Sequence, residues 1–355
     1  MHNPFSGTQI TPRERPTDPA VSPASRSYLH DAAEPTTMAD TPELLVTHRR
    51  SDAFVGQFRE ALADRLGHDP VVRARTPAET AGRFGTAEAV MTNALREEWL
   101  TDADSLVWVQ TVSSGVDRLP LEGLRDRGVV LTNAAGIHAE PVGEQVLGYM
   151  LAFERGLTVG FRRQADGVWE TFAGGELRGK TVGVVGLGAI GSRVAELAAA
   201  FGTTVVGTKR DPTDPPAVVD EVYPPDGLHE VIGRADYLVL ACPLTDETRG
   251  LVGQAELELL GEEAVLVNVA RGEVVDETAL TRALQSHTIG GAALDVFETE
   301  PLPADSPLWD LSNVIVTPHM AGSSPHAADR LVDIVADNYE AFAAGDRAAM
   351  RNRVR

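Results

Sequence analysis

Apolar residues fall into two alternating patterns along this chain. Short β-rich runs alternate with longer stretches whose apolar positions recur every three or four residues. The short runs predict strands over 43–47, 71–74, 86–91, 105–111 and 129–132, with amphipathic stretches such as Phe54–Leu66 between them. Strand–helix–strand alternation implies α/β layers built on a parallel sheet. A long helix is predicted from about Glu140 to Glu154.

A second, cleaner alternation follows. Strand 181–186 precedes a helix to Phe201 and strand 203–208, and further strands are predicted over 236–241, 264–269, 289–294 and 313–317. These runs are almost continuously apolar, as expected of strands covered on both faces in a doubly wound sheet. A last helix, roughly Pro325–Ala344, is expected to return to the first domain and make it discontinuous. The division read from the pattern is 40–138 with 321–355 as one domain and 139–320 as the other. Residues 1–37 carry six prolines and no apolar periodicity, so they are expected to be a disordered tail. Met38 opens a segment, MADTPELLVTH, that reads as a natural start.

Charge narrows the function classes. Against 52 Asp and Glu stand 31 Lys and Arg in 355 residues, a formal net charge of −21. Such a surface repels nucleic acid phosphates and anionic membranes, so neither is expected as a partner. The tail holds four acids and three arginines, which leaves −20 on the body. Only Lys180 and Lys209 are lysines. Carboxylate excess with few lysines is what adaptation to concentrated salt produces, since salt screens the mutual repulsion, and GC-rich codon usage also writes arginine for lysine. The single cysteine, Cys242, excludes an intrachain disulfide framework. No apolar run approaches the roughly 18 residues of a spanning helix, and no signal peptide is expected from the opening residues. A cytoplasmic protein is expected.

Gly186-Leu187-Gly188-Ala189-Ile190-Gly191 is a GxGxxG that directly follows a strand and opens a helix. That context makes it a dinucleotide site: the first glycine turns the chain, the second admits a pyrophosphate, and the third lets helix pack on strand. The residue that selects the cofactor should end the next strand, about 20 residues on. There stand Lys209 and Arg210 rather than an acid. Two cations suit the 2′-phosphate of NADP(H), so NADP(H) is expected over NAD(H), with NAD(H) still possible. Three other strand ends carry Arg271, the Asp295…Glu298…Glu300 segment, and His319 after Thr317-Pro318. An arginine, a carboxylate and a histidine in one crevice beside a dinucleotide suit carbonyl reduction.

With these motifs goes a resemblance. Ser113-Ser-Gly-Val-Asp117, Asn133-Ala-Ala-Gly136, Leu177-Arg-Gly-Lys-Thr-Val with the GxGxxG, Cys242-Pro-Leu-Thr-Asp-Glu-Thr248, Ala270-Arg271-Gly272, Asp295…Glu300-Pro301 and Thr317-Pro-His319 resemble the D-isomer-specific 2-hydroxyacid dehydrogenase family, in particular its glyoxylate/hydroxypyruvate reductase-like members. The likeness runs from about Glu43 to Ala344. It implies a Rossmann nucleotide-binding domain with a doubly wound parallel sheet, plus a discontinuous flavodoxin-like α/β substrate domain. It implies reduction of small 2-oxo acids to D-2-hydroxy acids. His319 would be the general acid, Glu300 would hydrogen-bond it and favour the imidazolium, and Arg271 would bind the substrate's carboxylate and carbonyl. Glu298 is a rival to Glu300 that the family's register disfavours. The amides of Ser114, Gly115 and Val116 would cradle the substrate carboxylate. Asp295 would orient the nicotinamide carboxamide. The cofactor would further meet Gly186, Gly188, Ala189, Ile190, Gly191, Cys242, Pro243, Thr248, Val269, Ala270, His319, Ala321 and Gly322.

The resemblance also implies a homodimer, formed here through the apolar helix Val142–Phe153 and the arm that follows it to Trp169. Cys242 reads as a small residue lining the site, and His138 as structural. Substrate selection is expected from Met91–Leu95, Trp108 and the partner subunit. Two other activities share this fold: a dinucleotide-sensing corepressor, against which Arg271, Glu300 and His319 argue, and a phosphite- or formate-type dehydrogenase.

Overall fold

Five short apolar runs pair into the first sheet. They are β1 (Leu44–Val46), β2 (Val71–Arg73), β3 (Ala89–Thr92), β4 (Trp108–Thr111) and β5 (Val130–Thr132), all parallel, in the order β2-β1-β3-β4-β5. That order is doubly wound, with its reversal between β1 and β3. Between the strands lie α1 (Asp52–Leu66), α2 (Pro77–Phe84), α3 (Glu97–Leu100) and α4 (Leu121–Asp126). Helix α1 starts where the Ser51 side chain accepts from the Phe54 amide, and it stops at Gly67, whose φ is 75°. The computed structural model describes residues 41–116 and 119–354. The expectations for the tail over 1–37 and for Asp117 therefore lie outside the described residues.

The chain then enters α5 (Ala139–Glu154) and α6 (Leu157–Ala165). The second sheet follows: β6 (Thr181–Val185), α7 (Ala189–Ala200), β7 (Thr204–Thr208), β8 (Glu221–Tyr223), α8 (Leu228–Ile232), β9 (Tyr237–Leu240), α9 (Gln254–Leu260), β10 (Val265–Asn268), α10 (Glu277–Gln285), β11 (Gly291–Leu294), β12 (Val314–Val316) and finally α11 (Ala327–Ala343). Its seven strands are parallel in the order β12-β11-β10-β9-β6-β7-β8. The order reverses between β6 and β9, where ligands bind in such sheets. Strand β8, a half-exposed edge of three residues flanked by acids, has too little apolar pattern to be read from sequence.

Burial follows the two-residue period of a strand. Leu44, Val46, Met91 and Trp108 pack beneath α1 and α11, against Phe58, Leu62, Val335 and Tyr339. Leu45, Val90 and Val109 point the other way, against Phe84, Leu100 and Leu124. Each such side chain contributes about 1.5–3 kcal/mol on full burial. The C-terminal helix α11 thus completes the layer over the first sheet. In the second sheet Val182, Val184 and Val239 meet α5 and α7 on one face, while Leu238, Leu240 and Leu266 meet α8, α9 and α10 on the other.

Two expectations need correction. Trp108 is fully buried, its ring against Phe342 (5.5 Å between centroids) and its Nε1 donating to Thr132 Oγ1 at 2.8 Å. The alternation of β4 turns it toward α11, so it cannot select substrates. Within Met91–Leu95, Met91, Thr92 and Leu95 are buried too, which leaves Asn93 and Ala94 at the surface. Of α5, the face carrying Val142, Val146, Tyr149 and Met150 is buried in this chain's own core.

Candidate active site

The nucleotide cleft is built by close approach of backbone. Gly186 directly follows β6 with a φ of 96°, and a Cβ there would stand 2.8 Å from Cys242 Cα. A Cβ on Gly191 would fall 2.2 Å from the Gly186 carbonyl oxygen. Only glycine fits either place. Helix α7, opened by Ala189 and Ile190, has Gly188 at its N-cap and no side-chain cap, so its first amides and positive dipole end stay available to an anion. These groups open on a cleft of about 630 Å³, lined among others by Gly188, Lys209, Arg210, Cys242, Pro243 and Thr248. Thr248 Oγ1 donates to the Pro243 carbonyl at 2.6 Å and closes the turn after β9. Burial pushes the Cys242 thiol pKa up to about 11, which makes it a packing group. Size, glycines and an open helix end fit a dinucleotide.

The far end of the cleft mixes charges. Lys209 Nζ donates to the Asp214 carbonyl and lies 4.0 Å from its carboxylate. Arg210 is exposed, and Asp211, Asp226 and Glu247 line the same cleft. The two cations therefore share their surroundings with acids.

The three residues singled out for chemistry sit at strand carboxyl ends. Arg271 follows β10 beyond the buried Val269 and Ala270, and its Nη1 donates to the Ala270 carbonyl at 2.7 Å. His319 follows β12, and its Nδ1 lies 2.8 Å from Glu300 Oε2. Glu300 Oε1 accepts from the Phe297 amide at 3.2 Å, which fixes the carboxylate. Glu298 is turned elsewhere: it accepts from the Glu277 amide at the start of α10, while the Glu298 amide donates to Glu277. Because a carboxylate only accepts, His319 Nδ1 carries a proton and Nε2 is the nitrogen left for a ligand.

Asp295 holds the loop that presents His319. This 2% exposed carboxylate accepts from Thr317 Oγ1 (2.6 Å), the Met320 amide (2.9 Å) and the Ala321 amide (2.9 Å). Its backbone carbonyl accepts from the His319 amide at 2.8 Å. The clamp matters because His319 sits at φ 49°, a left-handed conformation uncommon outside glycine. Behind it the Tyr149 hydroxyl lies within hydrogen-bond distance of Thr317 Oγ1. Gly322 closes the loop, its carbonyl accepting from His138 Nδ1 at 2.9 Å. Sequence reading missed Thr317 and Tyr149; the Thr-Pro-His run contains the first, and nothing marks the second among the apolar residues of α5.

Ser114, Gly115 and Val116 follow β4. The Ala134 amide donates to the Ser113 carbonyl (3.0 Å), Asn133 Nδ2 to the Ser114 carbonyl (2.8 Å), and Ser113 Oγ to the Gly115 carbonyl (2.8 Å). The amides of Ser114, Gly115 and Val116 donate to no described residue. Carbonyls engaged and successive amides open is the pattern of an anion-binding turn.

A family model described as "D-isomer specific 2-hydroxyacid dehydrogenase, NAD binding domain" matches residues 147–321. The glyoxylate reductase of Korarchaeum cryptofilum is 33% identical over 267 residues, 73% of this chain and 79% of that protein. The D-3-phosphoglycerate dehydrogenase of Methanocaldococcus jannaschii is 34% identical over 294 residues, 81% of this chain, which spans only 56% of that relative's length. Among solved structures, the D-isomer specific 2-hydroxyacid dehydrogenase of Xanthobacter autotrophicus Py2, in complex with NADPH and MES, superposes with a TM-score of 0.77 at 30% identity, covering 89% of this chain and 98% of that one.

Proposed function

The chain belongs to the D-isomer specific 2-hydroxyacid dehydrogenase family, oxidoreductases that act on the CH–OH group of 2-hydroxy acids, and we propose that it reduces small 2-oxo acids to D-2-hydroxy acids with NADPH. The observation that carries this reading is the His319–Glu300 pair at 2.8 Å, presented at strand ends together with Arg271. When bound, the nicotinamide cofactor supplies the hydride. His319 as the imidazolium, with Nδ1–H donating to Glu300, would give its Nε2 proton to the carbonyl oxygen as charge develops there and be left neutral. Glu300 favours that cation and fixes the ring's orientation. Arg271 grips the substrate's carboxylate and carbonyl with its planar fork. The open amides of Ser114, Gly115 and Val116 take the same carboxylate from the other side. Asp295 fixes the loop beside the nicotinamide pocket.

NADPH over NADH rests on Lys209 and Arg210 directly after β7, where an acid would accept from a ribose hydroxyl. The NADPH in the Xanthobacter structure agrees with that choice. Residues 40–138 with 321–355 form the substrate domain and 139–320 the nucleotide domain; closure between them excludes water during transfer. The active unit is a homodimer. Its interface uses the arm after α5, where Phe161 and Trp169 are 66% and 99% exposed, with Leu157, Val168 and Phe172 beside them.

The test is a panel of 2-oxo acids with NADPH and NADH on wild type and on His319→Ala, Glu300→Gln and Arg271→Ala. The expected result is loss of turnover by at least about a hundredfold in His319→Ala, the scale of a lost general acid. Wild-type turnover in that variant overturns the assignment.

A further inference from the structure

The C-terminal residues do more than close the fold. After α11 the chain runs back along the free edge of β5: Arg353 pairs antiparallel with Thr132, and the Val354 amide donates to the Leu131 carbonyl at 2.9 Å. The strap begins at Asn133, the residue that holds the turn following β4. The Asn352 carbonyl accepts from the Asn133 amide at 3.1 Å. Asn352 Nδ2 donates to the Asn133 carbonyl (3.3 Å) and to the Ala135 carbonyl (2.9 Å). Asn133 in turn holds the Ser114 carbonyl through its Nδ2, while its Oδ1 accepts from the Ala135 amide at 3.0 Å. Asn352 sits at φ 55°, a conformation asparagine tolerates better than most residues.

The strap is itself anchored from inside the core. The Arg351 amide donates to Asn338 Oδ1 at 2.6 Å, and Asn338 Nδ2 donates to Gln110 Oε1 at 3.0 Å. Thr132 Oγ1 donates to the same Gln110 oxygen at 2.7 Å. Gln110, Thr132 and Asn338 are fully buried, so this polar network is costly unless every partner is in place. A continuous chain of hydrogen bonds therefore runs from α11 and the strap through Asn133 to the Ser114 carbonyl, in the turn that carries the three open amides.

We propose that Asn352 is a positioning residue for the substrate carboxylate, setting through Asn133 the turn whose amides receive it. The inference rests on the reading of Ser114–Val116 as the carboxylate cradle. Substrates and inhibitors that carry a carboxylate beside a carbonyl depend on the strap, whereas the cofactor does not. The strap thus acts on KM, and His319 on kcat.

The full-length enzyme tests this with glyoxylate as substrate and oxamate as competitive ligand. Asn352→Gly keeps the left-handed backbone without strain and removes only the side-chain donors. It is expected to raise the glyoxylate KM and the oxamate Ki together by about tenfold, the scale of one or two lost hydrogen bonds. The kcat should stay within about twofold and the NADPH Kd should not change. Asn133→Asp, which turns the donor on the Ser114 carbonyl into a repelling carboxylate, acts on the cradle directly. If Asn133→Asp leaves KM and Ki at wild-type values, the cradle reading itself fails. If Asn133→Asp raises them and Asn352→Gly does not, the strap inference alone fails. A parallel fall in kcat and in NADPH affinity in Asn352→Gly also overturns it, because that is the mark of general loosening.

Discussion

Replacing Asp295 by Asn removes one charge and one acceptor from a buried site that uses both. Three donors converge on its two oxygens, the Thr317 hydroxyl and Met320 amide on Oδ1 and the Ala321 amide on Oδ2. Whichever way the new amide is turned, its NH₂ meets at least one of these donors. Hydrogen bonds to a charged group contribute about 1.5–3 kcal/mol each, neutral ones about 0.5–1.5, and an unsatisfied buried donor costs about 1–3. One lost bond and two weakened ones sum to about 3–5 kcal/mol, concentrated on the loop that keeps His319 in its left-handed conformation. At about 1.4 kcal/mol per factor of ten, the productive loop becomes at least about a hundredfold rarer. Steady-state kcat should fall by that factor, and the amides of 317–322 should exchange hydrogen faster. Thr317→Val, which removes only the hydroxyl, should cost about tenfold. A kcat within threefold of wild type in Asp295→Asn, with unchanged exchange in the loop, would refute the clamp.

Three other outcomes are expected. Lys209→Glu should raise the KM for NADPH by at least about tenfold while leaving that for NADH near its starting value, since a cation facing a phosphate is replaced by a like charge; equal changes for both cofactors would remove the basis for NADP(H) selection. Cys242, with its thiol pushed up to about 11, should react with iodoacetamide at pH 8 about a hundredfold more slowly in the folded chain than in the denatured one, and equal rates would contradict that burial. Burial, the largest influence on His138, holds its pKa below the usual imidazole value despite the bond to Gly322. The neutral ring is therefore the folded form, so its contribution is complete above about pH 6.5 and is lost as pH falls below that value. Melting temperature followed from pH 7.5 to 5 should drop less steeply in His138→Asn than in wild type, and coincident slopes would count against it.

What was legible in the sequence was whatever rests on local pattern. Apolar strands, the GxGxxG and the chemistry at strand ends each sit within a few residues of the feature that marks them, so Gly186, Arg271 and His319 could be picked out from short windows. Strand bounds were less legible: the run expected from 105 is strand only from Trp108, although the Val107 amide already donates to the Glu88 carbonyl and the Val107 carbonyl accepts from the Val130 amide. Trp108 itself was misplaced because an aromatic near a strand end reads the same whether it faces a ligand or a helix that arrives more than 200 residues later. Long-range partners leave no local trace.

The same asymmetry divides the active site into two layers. Reacting groups are announced by residue type, since only a few side chains can protonate a carbonyl or grip a carboxylate. The groups that hold them are ordinary: Thr317 and Tyr149 behind His319, Asn133 and Asn352 behind Ser114. Each of these connections joins residues about twenty or more apart in sequence, and each meets a main-chain carbonyl, a hydroxyl or, for Thr317, the Asp295 carboxylate, groups that other polar side chains could satisfy elsewhere. Charge completes the contrast. The body carries a large negative excess, yet Lys209, Arg210 and Arg271 stand at strand ends, where the proposed reading docks two anions. Asp211, Asp226 and Glu247 share the cofactor end with them, so anion affinity there is a small difference between opposed local charges. Raising ionic strength screens both the attraction to the cofactor phosphate and the repulsion from the surrounding acids. Which wins is measurable: if the cations dominate, the KM for NADPH rises with salt while that for NADH stays nearly flat, and parallel curves would mean that the acids cancel them.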